Sequence, residues 1–351
     1  MICKHCGTQV ADDNAFCTNC GATLPKKHLK ISPADGFFWA RKFLLSHRVI
    51  AIVLCIALLI GMVGICTNWF GLNGPAVQIA NAVRKTLTAK SLTVDFTVSA
   101  ATGSGLEKDT RKISGKAQIC LDLKHEEITL FLTVKGLNGE TVEYAIYDGY
   151  LLTMEEGRVY KEDISDKLDA FFEAYEDAQE RAKEMIKNGQ VDWKELLETI
   201  DEDAYETAQE HVNFTKLNGC ISQLAKNMNS PAWLRKNAGY HTSLRSNMKV
   251  HTFQPDICEF LEAVLPIFRP AFRDRDDYTE LEESLEKLDE DLGNTDLSLV
   301  FGIRGSKLRM LELELALDSQ QISANLEFSK IGHTRIDTNK LDDLLDEAKE
   351  Y

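Results

Sequence analysis

The chain has 351 residues, and its formal net charge is −15 because 55 Asp and Glu residues outnumber 40 Lys and Arg residues. The charge is unevenly divided: residues 1–48 carry seven Lys or Arg against three Asp or Glu, whereas the remainder carries 33 against 52. A hydrophobic fraction of 44% is enough for a globular core. The acidic remainder is expected to repel nucleic acid and anionic lipid headgroups.

Two CxxCG units lie near the N-terminus, Cys3-Lys4-His5-Cys6-Gly7 and Cys17-Thr18-Asn19-Cys20-Gly21. Two such pairs of thiolates complete a closed tetrahedral shell, so the pattern predicts a structural Zn²⁺ site with the ligands Cys3, Cys6, Cys17 and Cys20. Disulfides are a disfavoured alternative because a cytoplasmic location is reducing. A thioredoxin-type motif is disfavoured because it needs only one CxxC on a larger fold.

Residues 1–24 resemble the short zinc ribbon at the N-terminus of many bacterial membrane proteins, in which a basic linker, one span and an extracytoplasmic domain follow. All four cysteines occupy the ligand positions of that family. The resemblance implies metal binding and docking of a cytoplasmic protein partner. Nucleic-acid binding is a minor alternative, because Lys26, Lys27 and Lys30 of the 25–48 juxtamembrane linker also act as a topology signal.

Residues 49–66, VIAIVLCIALLIGMVGIC, contain no charged, amide or hydroxyl side chain. Extended to Phe70, a helix of this segment is about 33 Å long, which matches a bilayer core, so we predict one transmembrane helix over 49–70. A cleaved signal peptide is disfavoured because 48 residues precede the run, and a buried helix is disfavoured because every face is apolar.

The orientation follows from the basic residues beside the span. Six Lys or Arg lie between Lys26 and Arg48, whereas no charged residue follows the span before Arg84. Basic flanks stay in the cytoplasm. The protein is therefore expected in the cell membrane as a single-pass protein, with a cytoplasmic N-terminus and residues 75–351 outside.

The first part of the outer domain, 75–160, is expected to form a helix and an antiparallel meander of five or six strands. Pro75 suits the first turn of a helix. Hydrophobic and polar residues then alternate from Leu92 to Val98 and in later runs, with turns at Asp148-Gly149 and Glu156-Gly157.

The second part, 161–295, is expected to be a mainly helical insertion. From Ile164 the apolar period is about 3.6 residues, and Leu168, Phe171, Phe172 and Tyr175 share one face. Further helices are predicted over 191–200, 203–213, 217–228 and 278–292. Another is predicted from Pro255, ended by Pro266 and Pro270, and a strand is predicted within 239–253. Solvated helix faces explain the many carboxylates better than catalytic acid pairs do.

The last part, 296–351, returns to alternation over 297–301, 308–317 and 322–328, before a short helix from Lys340. These strands are expected to complete the first sheet across the insertion. The predicted fold class is α+β: a four-cysteine zinc ribbon, one transmembrane helix and an extracytoplasmic antiparallel β half-barrel with a large helical insertion.

The order of these elements and the segment Asn325–Ile336, NLEFSKIGHTRI, resemble the LolA/LppX-like lipoprotein half-barrels of bacterial envelopes. The resemblance covers most of residues 75–340. It implies a curved sheet whose concave face holds an acyl chain or another apolar ligand. A concave face filled by the helices is the alternative.

No catalytic motif is evident in the sequence, which lacks GxSxG, HExxH, a P-loop and GxGxxG. The five histidines of the outer domain have no metal-ligand spacing: His125, His211, His241, His251 and His333. Cys220 and Cys258 can form a disulfide, with Cys120 outside it. Three reduced thiols are equally compatible with the sequence.

The predicted function is that of a non-enzymatic, membrane-anchored envelope protein whose outer domain binds an apolar ligand or a protein partner. The alternative is a purely structural scaffolding module without a small-molecule ligand. An enzyme of unfamiliar type is the third hypothesis, and a cluster of perturbed carboxylates in one cleft would favour it.

Overall fold

The structure, a computed structural model, describes residues 71–102, 109–137, 139–155, 157–187, 190–198, 204–292, 295–317 and 320–350. The predicted zinc ribbon (1–24), linker (25–48) and transmembrane helix (49–70) lie outside these residues. Within the described ranges, no helix combines the length and the apolar composition that crossing a bilayer requires.

The described chain begins with helix α1, Pro75–Leu87, and a meander of six strands. Pro75 stands in the first turn of α1, where a missing N–H is no loss. The strands are β1 Ser91–Thr102, β2 Asp109–Asp122, β3 Glu127–Lys135, β4 Thr141–Tyr147, β5 Tyr150–Glu155 and β6 Arg158–Asp163. The predicted helix and meander are confirmed.

The next segment is mainly helical, as predicted. Its helices are α2 Ser165–Met185, α3 Trp193–Glu198, α4 Ala204–His211, α5 Phe214–Met228, α6 Pro231–Asn237, α7 Ile257–Phe268 and α8 Arg275–Leu292. Its strands are β7 Ile186–Lys187, β8 Gln190–Val191, β9 His241–Arg245 and β10 Met248–Phe253. Asn213 and Asp256 cap α5 and α7, each by accepting a hydrogen bond from a backbone N–H three residues ahead.

Three details of this segment differ from the prediction. Helix α7 continues through Pro266, because a proline in the last turn removes only one N–H donor there. The single strand predicted within 239–253 is the hairpin β9–β10, since Ser246 and Asn247 adopt the positive φ angles of a tight turn, 50° and 61°. Phe172 is buried, but Phe171 is 51% exposed, so these neighbours do not share a buried face.

The last elements are β11 Thr295–Arg304, β12 Lys307–Leu317, β13 Gln320–Ser329, α9 Thr338–Glu347 and β14 Lys349–Glu350. Twelve strands form one sheet in the order β14-β6-β5-β4-β3-β2-β1-β13-β12-β11-β10-β9. The pairing of β1 with β13 joins the two groups of strands across the insertion, as predicted. The pairs are antiparallel except for β14 with β6.

Helices pack against the two ends of the sheet on opposite faces. At the β3–β5 end, Leu341 of α9 packs on Ala145 and Leu152. At the β9–β11 end, Leu234 of α6 and Phe260 of α7 pack in one cluster with Phe253. Because cross-strand partners share a face, the register places Ala145 and Phe253 on opposite faces of the sheet.

Candidate functional site

Apolar side chains form rows across one face of the sheet. One row, from β4 to β10, contains Val142, Val134, Gly115, Phe96, Leu326, Leu311, Phe301 and His251. The next row contains Ile113, Val98, Ala324, Leu313, Leu299 and Phe253, and a third contains Ala100, Ile322, Leu315 and Leu297. We call the surface formed by these three rows the apolar face.

The middle of the apolar face is only half-buried. Val98 and Ile113, which are direct cross-strand partners, are 42% and 40% exposed, and Ile322 of β13 is 40% exposed. Phe96 and Leu313 are half-buried. Contiguous apolar surface left open to water in this way is typical of a site that binds an apolar ligand or partner.

The opposite face of the same strands is polar. Asp95 and Thr97 of β1 lie on that face. A groove of about 410 Å³ there is lined by acidic and basic side chains together, Asp95, Glu327, Lys116 and Lys135 among them. This mixture presents no single charge to a ligand. The alternation along β1 thus separates an apolar face from a polar one, although neither face is closed to solvent at this place.

The apolar face is closed at its β10 end. The rings of Tyr240, Phe253 and Phe301 form a chain of contacts, with centroids 5.0 Å and 6.0 Å apart. Leu234, fully buried, packs against them from α6 together with Trp233. The helical insertion therefore covers one end of the apolar face and leaves the surface over β1 and β13 accessible.

His251 lies at the closed end and is fully buried. Its Nδ1 lies 2.9 Å from the Tyr240 hydroxyl, within hydrogen-bond distance. Burial, aided by the nearby ammonium group of Lys249, lowers the pKa of His251 to about 4, and burial raises the pKa of Tyr240. Among the described residues, Nε2 of His251 has no hydrogen-bond partner. The imidazole is therefore neutral at physiological pH.

The structure separates the histidines and cysteines that the sequence singled out. His125 pairs with Asp122 at 2.9 Å, and His211 pairs with Asp277 at 3.0 Å. The described residues contain no cluster of three or more His, Cys, Asp or Glu that can hold a metal. Cys120 and Cys220 are free thiols, so the disulfide between Cys220 and Cys258 that the sequence left open does not form.

Sequence reasoning missed two features of this region. The sequence shows only that His251 lacks metal-ligand spacing, whereas in the fold one of its ring nitrogens has no partner among the described residues. Sequence reasoning also gave Gly115 no role. A Cβ on Gly115 would lie 2.5 Å from Cζ of Phe96 and would meet the carbonyl oxygen of Thr133, so the bare backbone makes room for the ring. Gly115 lies opposite β1, whose residues alternate between polar and apolar. A glycine at such a position is the sequence signal for a close contact with its neighbours.

A family model matches the N-terminal segment of the chain. Residues 2–24 match the zinc-ribbon domain family. This segment contains Cys3, Cys6, Cys17 and Cys20, and four thiolates in two pairs are the donor set that structural zinc prefers. The comparison with curated proteins found no match.

Solved structures that are similar to this chain include two mycobacterial proteins. LprF from Mycobacterium bovis is 9% identical, with a TM-score of 0.31, over 74% of this chain and 93% of its own. The lipoprotein LppX from Mycobacterium tuberculosis is 10% identical, with a TM-score of 0.30, over 74% and 96%. At these values the likenesses decide neither the fold nor the function of this chain.

Proposed function

We propose that residues 71–351 bind an acyl chain or another elongated apolar molecule on the apolar face, without catalysing a reaction. The observation that carries this proposal is the half-exposed state of Val98, Ile113 and Ile322 in rows of mainly hydrophobic residues, although Arg111 of β2 continues the row of Ile322. An apolar ligand that covered these side chains would remove their surface from water, which favours binding by about 25 cal/mol for each Å² buried.

The proposed place of this domain is outside the cell membrane, anchored by the predicted span at 49–70. The zinc ribbon at 1–24 is proposed as a structural head in the cytoplasm, held by Cys3, Cys6, Cys17 and Cys20 and open to a protein partner. Metal analysis of the purified chain is expected to find zinc that is lost in the Cys17→Ser variant. Full zinc content in that variant would contradict this ligand set.

The ligand proposal is tested by matched double variants on the two faces of the same strand pair. Val98→Glu with Ile113→Glu places carboxylates on the apolar face, and Thr97→Glu with Ser114→Glu places them at cross-strand partners on the polar face. Both pairs put like charges opposite each other, so their direct cost to the sheet is similar.

Native mass spectrometry of the full chain, released from detergent, measures the fraction that carries a bound lipid. The apolar-face variant is expected to lower lipid affinity at least about tenfold, because an acyl chain pressed on a carboxylate strips its water without replacing the hydrogen bonds. The polar-face variant is expected to retain lipid. Absence of lipid from the unmodified chain, or equal losses in both variants, would contradict the proposal.

A further inference from the structure

Basic side chains collect at one end of the sheet, although the chain as a whole is acidic. Four segments contribute residues to this end, 71–94, 239–255, 297–311 and 328–336. They contain ten Lys or Arg and no Asp or Glu within these bounds, while acidic residues stand directly beside them at 95, 256, 296, 312, 327 and 337. Eight of these basic residues are exposed: Arg84, Lys85, Lys90, Arg245, Lys249, Arg304, Lys330 and Arg335. We call the surface formed by these eight residues the basic end.

Hydrogen bonds show that the four segments form one surface. The guanidinium of Arg304 donates to the carbonyl of Ser246 at 2.6 Å, which joins the β9–β10 and β11–β12 turns. Lys249 donates to Gln78 of α1 at 2.7 Å, and Lys85 of α1 donates to Ser306 at 3.2 Å. Lys307 donates to the carbonyl of Ile331 at 3.3 Å, which brings in the fourth segment.

The basic end also exposes large apolar side chains. Leu244 is 83% exposed and Leu87 is 59% exposed, the two highest values for large hydrophobic residues in the part of the chain that the structure describes. Leu244 belongs to β9, the edge strand of the sheet, and Leu87 is the last residue of α1. Exposed leucines among lysines and arginines are the composition of a surface that lies at a membrane interface.

The acidic residues at the same end of the strands belong to the other half of the sheet. Asp122 lies at the end of β2, Asp148 in the β4–β5 turn and Asp163 at the end of β6. Strand β1 lies between them and the β9–β13 half. Most of the basic residues therefore lie on the β9–β13 side, although Lys90 lies near Asp122 and the carbonyl of Arg335 accepts a hydrogen bond from Gln118 of β2.

We propose that the basic end rests on the anionic headgroups of the phospholipid leaflet from which α1 emerges. This proposal rests on the membrane anchoring that is part of the proposed function, because α1 begins only five residues after the predicted span at 49–70. The short connection keeps α1 near the bilayer. Positive charge complements anionic headgroups, while Leu244 and Leu87 lie within the interface.

The proposal revises one expectation from the sequence. The net acidic charge of the outer domain predicts repulsion of anionic lipid, which holds for a uniformly charged surface. The fold instead gathers acid-free segments at one end, so attraction acts there while repulsion keeps the remaining, acidic surface away. The domain therefore turns its basic end towards the membrane. The distance between the basic end and the headgroups is then short enough that dissolved salt does not screen their attraction.

Hydrogen–deuterium exchange of the full chain in lipid nanodiscs tests this inference. One set of discs contains phosphatidylcholine alone, and the other also contains phosphatidylglycerol. Because each Lys or Arg near an anionic surface strengthens association about fivefold, we expect amides of the β9–β10 and β11–β12 turns to exchange at least about fivefold more slowly in the anionic discs. High salt should remove this difference.

Two charge-reversal variants sharpen the test. Arg84→Glu with Arg245→Glu and Lys330→Glu alters the basic end and should abolish the protection. Lys112→Glu with Lys116→Glu and Lys135→Glu changes the net charge equally, at exposed positions on β2 and β3, and should preserve it. Equal exchange in both kinds of disc, or equal effects of the two variants, would overturn the proposal.

Two further outcomes are separable. Slowing on addition of a nucleic acid but not in anionic discs would assign the basic end to another polyanion and overturn the proposal. A chain that does not enter the discs would contradict the predicted span instead. Flotation of that chain with preformed vesicles would then decide: recovery with anionic vesicles alone supports the basic end, and equal recovery with phosphatidylcholine vesicles contradicts it.

Discussion

The covered end and the middle of the apolar face have the same kind of sequence but different surroundings. At the β10 end, the insertion covers Phe253 with Leu234 and Trp233 of α6, and His251 is fully buried beside Tyr240. Over β1 and β13, side chains of the same rows are exposed to water, Val98 and Ile322 most of all. Hydrophobic alternation therefore establishes which side chains share a face, while the covering elements decide whether that face stabilises the fold or remains free for a ligand.

The largest difference between the covered end and the middle is expected from leucine truncation. Leu234→Ala, at the covered end, should lower the free energy of unfolding by about 2–5 kcal/mol, because it leaves a cavity in a fully buried cluster. Leu313→Ala, in the half-buried middle, should lower the free energy of unfolding by about 1 kcal/mol, because the side chain that is removed buries less apolar surface. Denaturant unfolding of the full chain in detergent measures both. Equal losses of unfolding free energy would show that the middle is covered as well as the β10 end.

A smaller effect is expected from Gly115→Ala, which tests whether the open part is nonetheless closely packed. The new Cβ would meet the Thr133 carbonyl oxygen and would lie 2.5 Å from the Phe96 ring, so we expect a loss of about 1–3 kcal/mol in unfolding free energy. Gly219→Ala is the control, because its Cβ has open space on α5 and should stabilise by about 0.5–1 kcal/mol. A neutral result at Gly115 would indicate loose packing around Phe96.

The smallest effect concerns proton uptake at the covered end. The imidazole of His251 in the unfolded chain gains a proton near its ordinary pKa, about 6.5, whereas the folded chain holds that pKa at about 4. Stability from this group is therefore complete above about pH 6.5 and falls by about 1.4 kcal/mol for each pH unit below it, down to about pH 4.

The effect of this protonation is measured by comparing the free energy of unfolding at pH 7 with that at pH 5.5. The unmodified chain should lose about 1.4 kcal/mol more than His251→Gln between these conditions. His241→Gln, on the exposed strand β9, serves as the control and should behave like the unmodified chain. If the free energy of unfolding of His251→Gln fell as much as that of the unmodified chain, His251 would not be shielded from water at the covered end.

Much of the fold was predictable because its strands alternate cleanly. The run from Leu92 to Val98 predicted β1, and the leucines at 311, 313, 315 and 317 predicted β12 with its apolar side. That the closing strands complete the first sheet across the insertion was also expected, whereas their junction through β1 and β13 is known only from the structure. These predictions succeeded because a shift of one residue in the pairing of such a strand would move all its apolar side chains to the other face of the sheet.

Other features depend on tertiary contacts that no local pattern contains. Helix α6, Pro231–Asn237, is too short for a periodic signal, although Leu234 is the centre of its cluster. The turn at Ser246-Asn247 lacks the glycine that usually marks a hairpin. The basic end was not predicted because its four segments are far apart in sequence and meet only in the folded sheet.

Photo-crosslinking tests the ligand site most directly. Cells that produce the full chain are supplied with a diazirine fatty acid, and labelled peptides are mapped after illumination. Labels on the predicted span at 49–70 report only the surrounding bilayer. In the outer domain, the account predicts labels at apolar-face positions of β1, β12 and β13, which decrease with excess unlabelled fatty acid. Labels spread evenly over both faces, or none beyond the span, would contradict it.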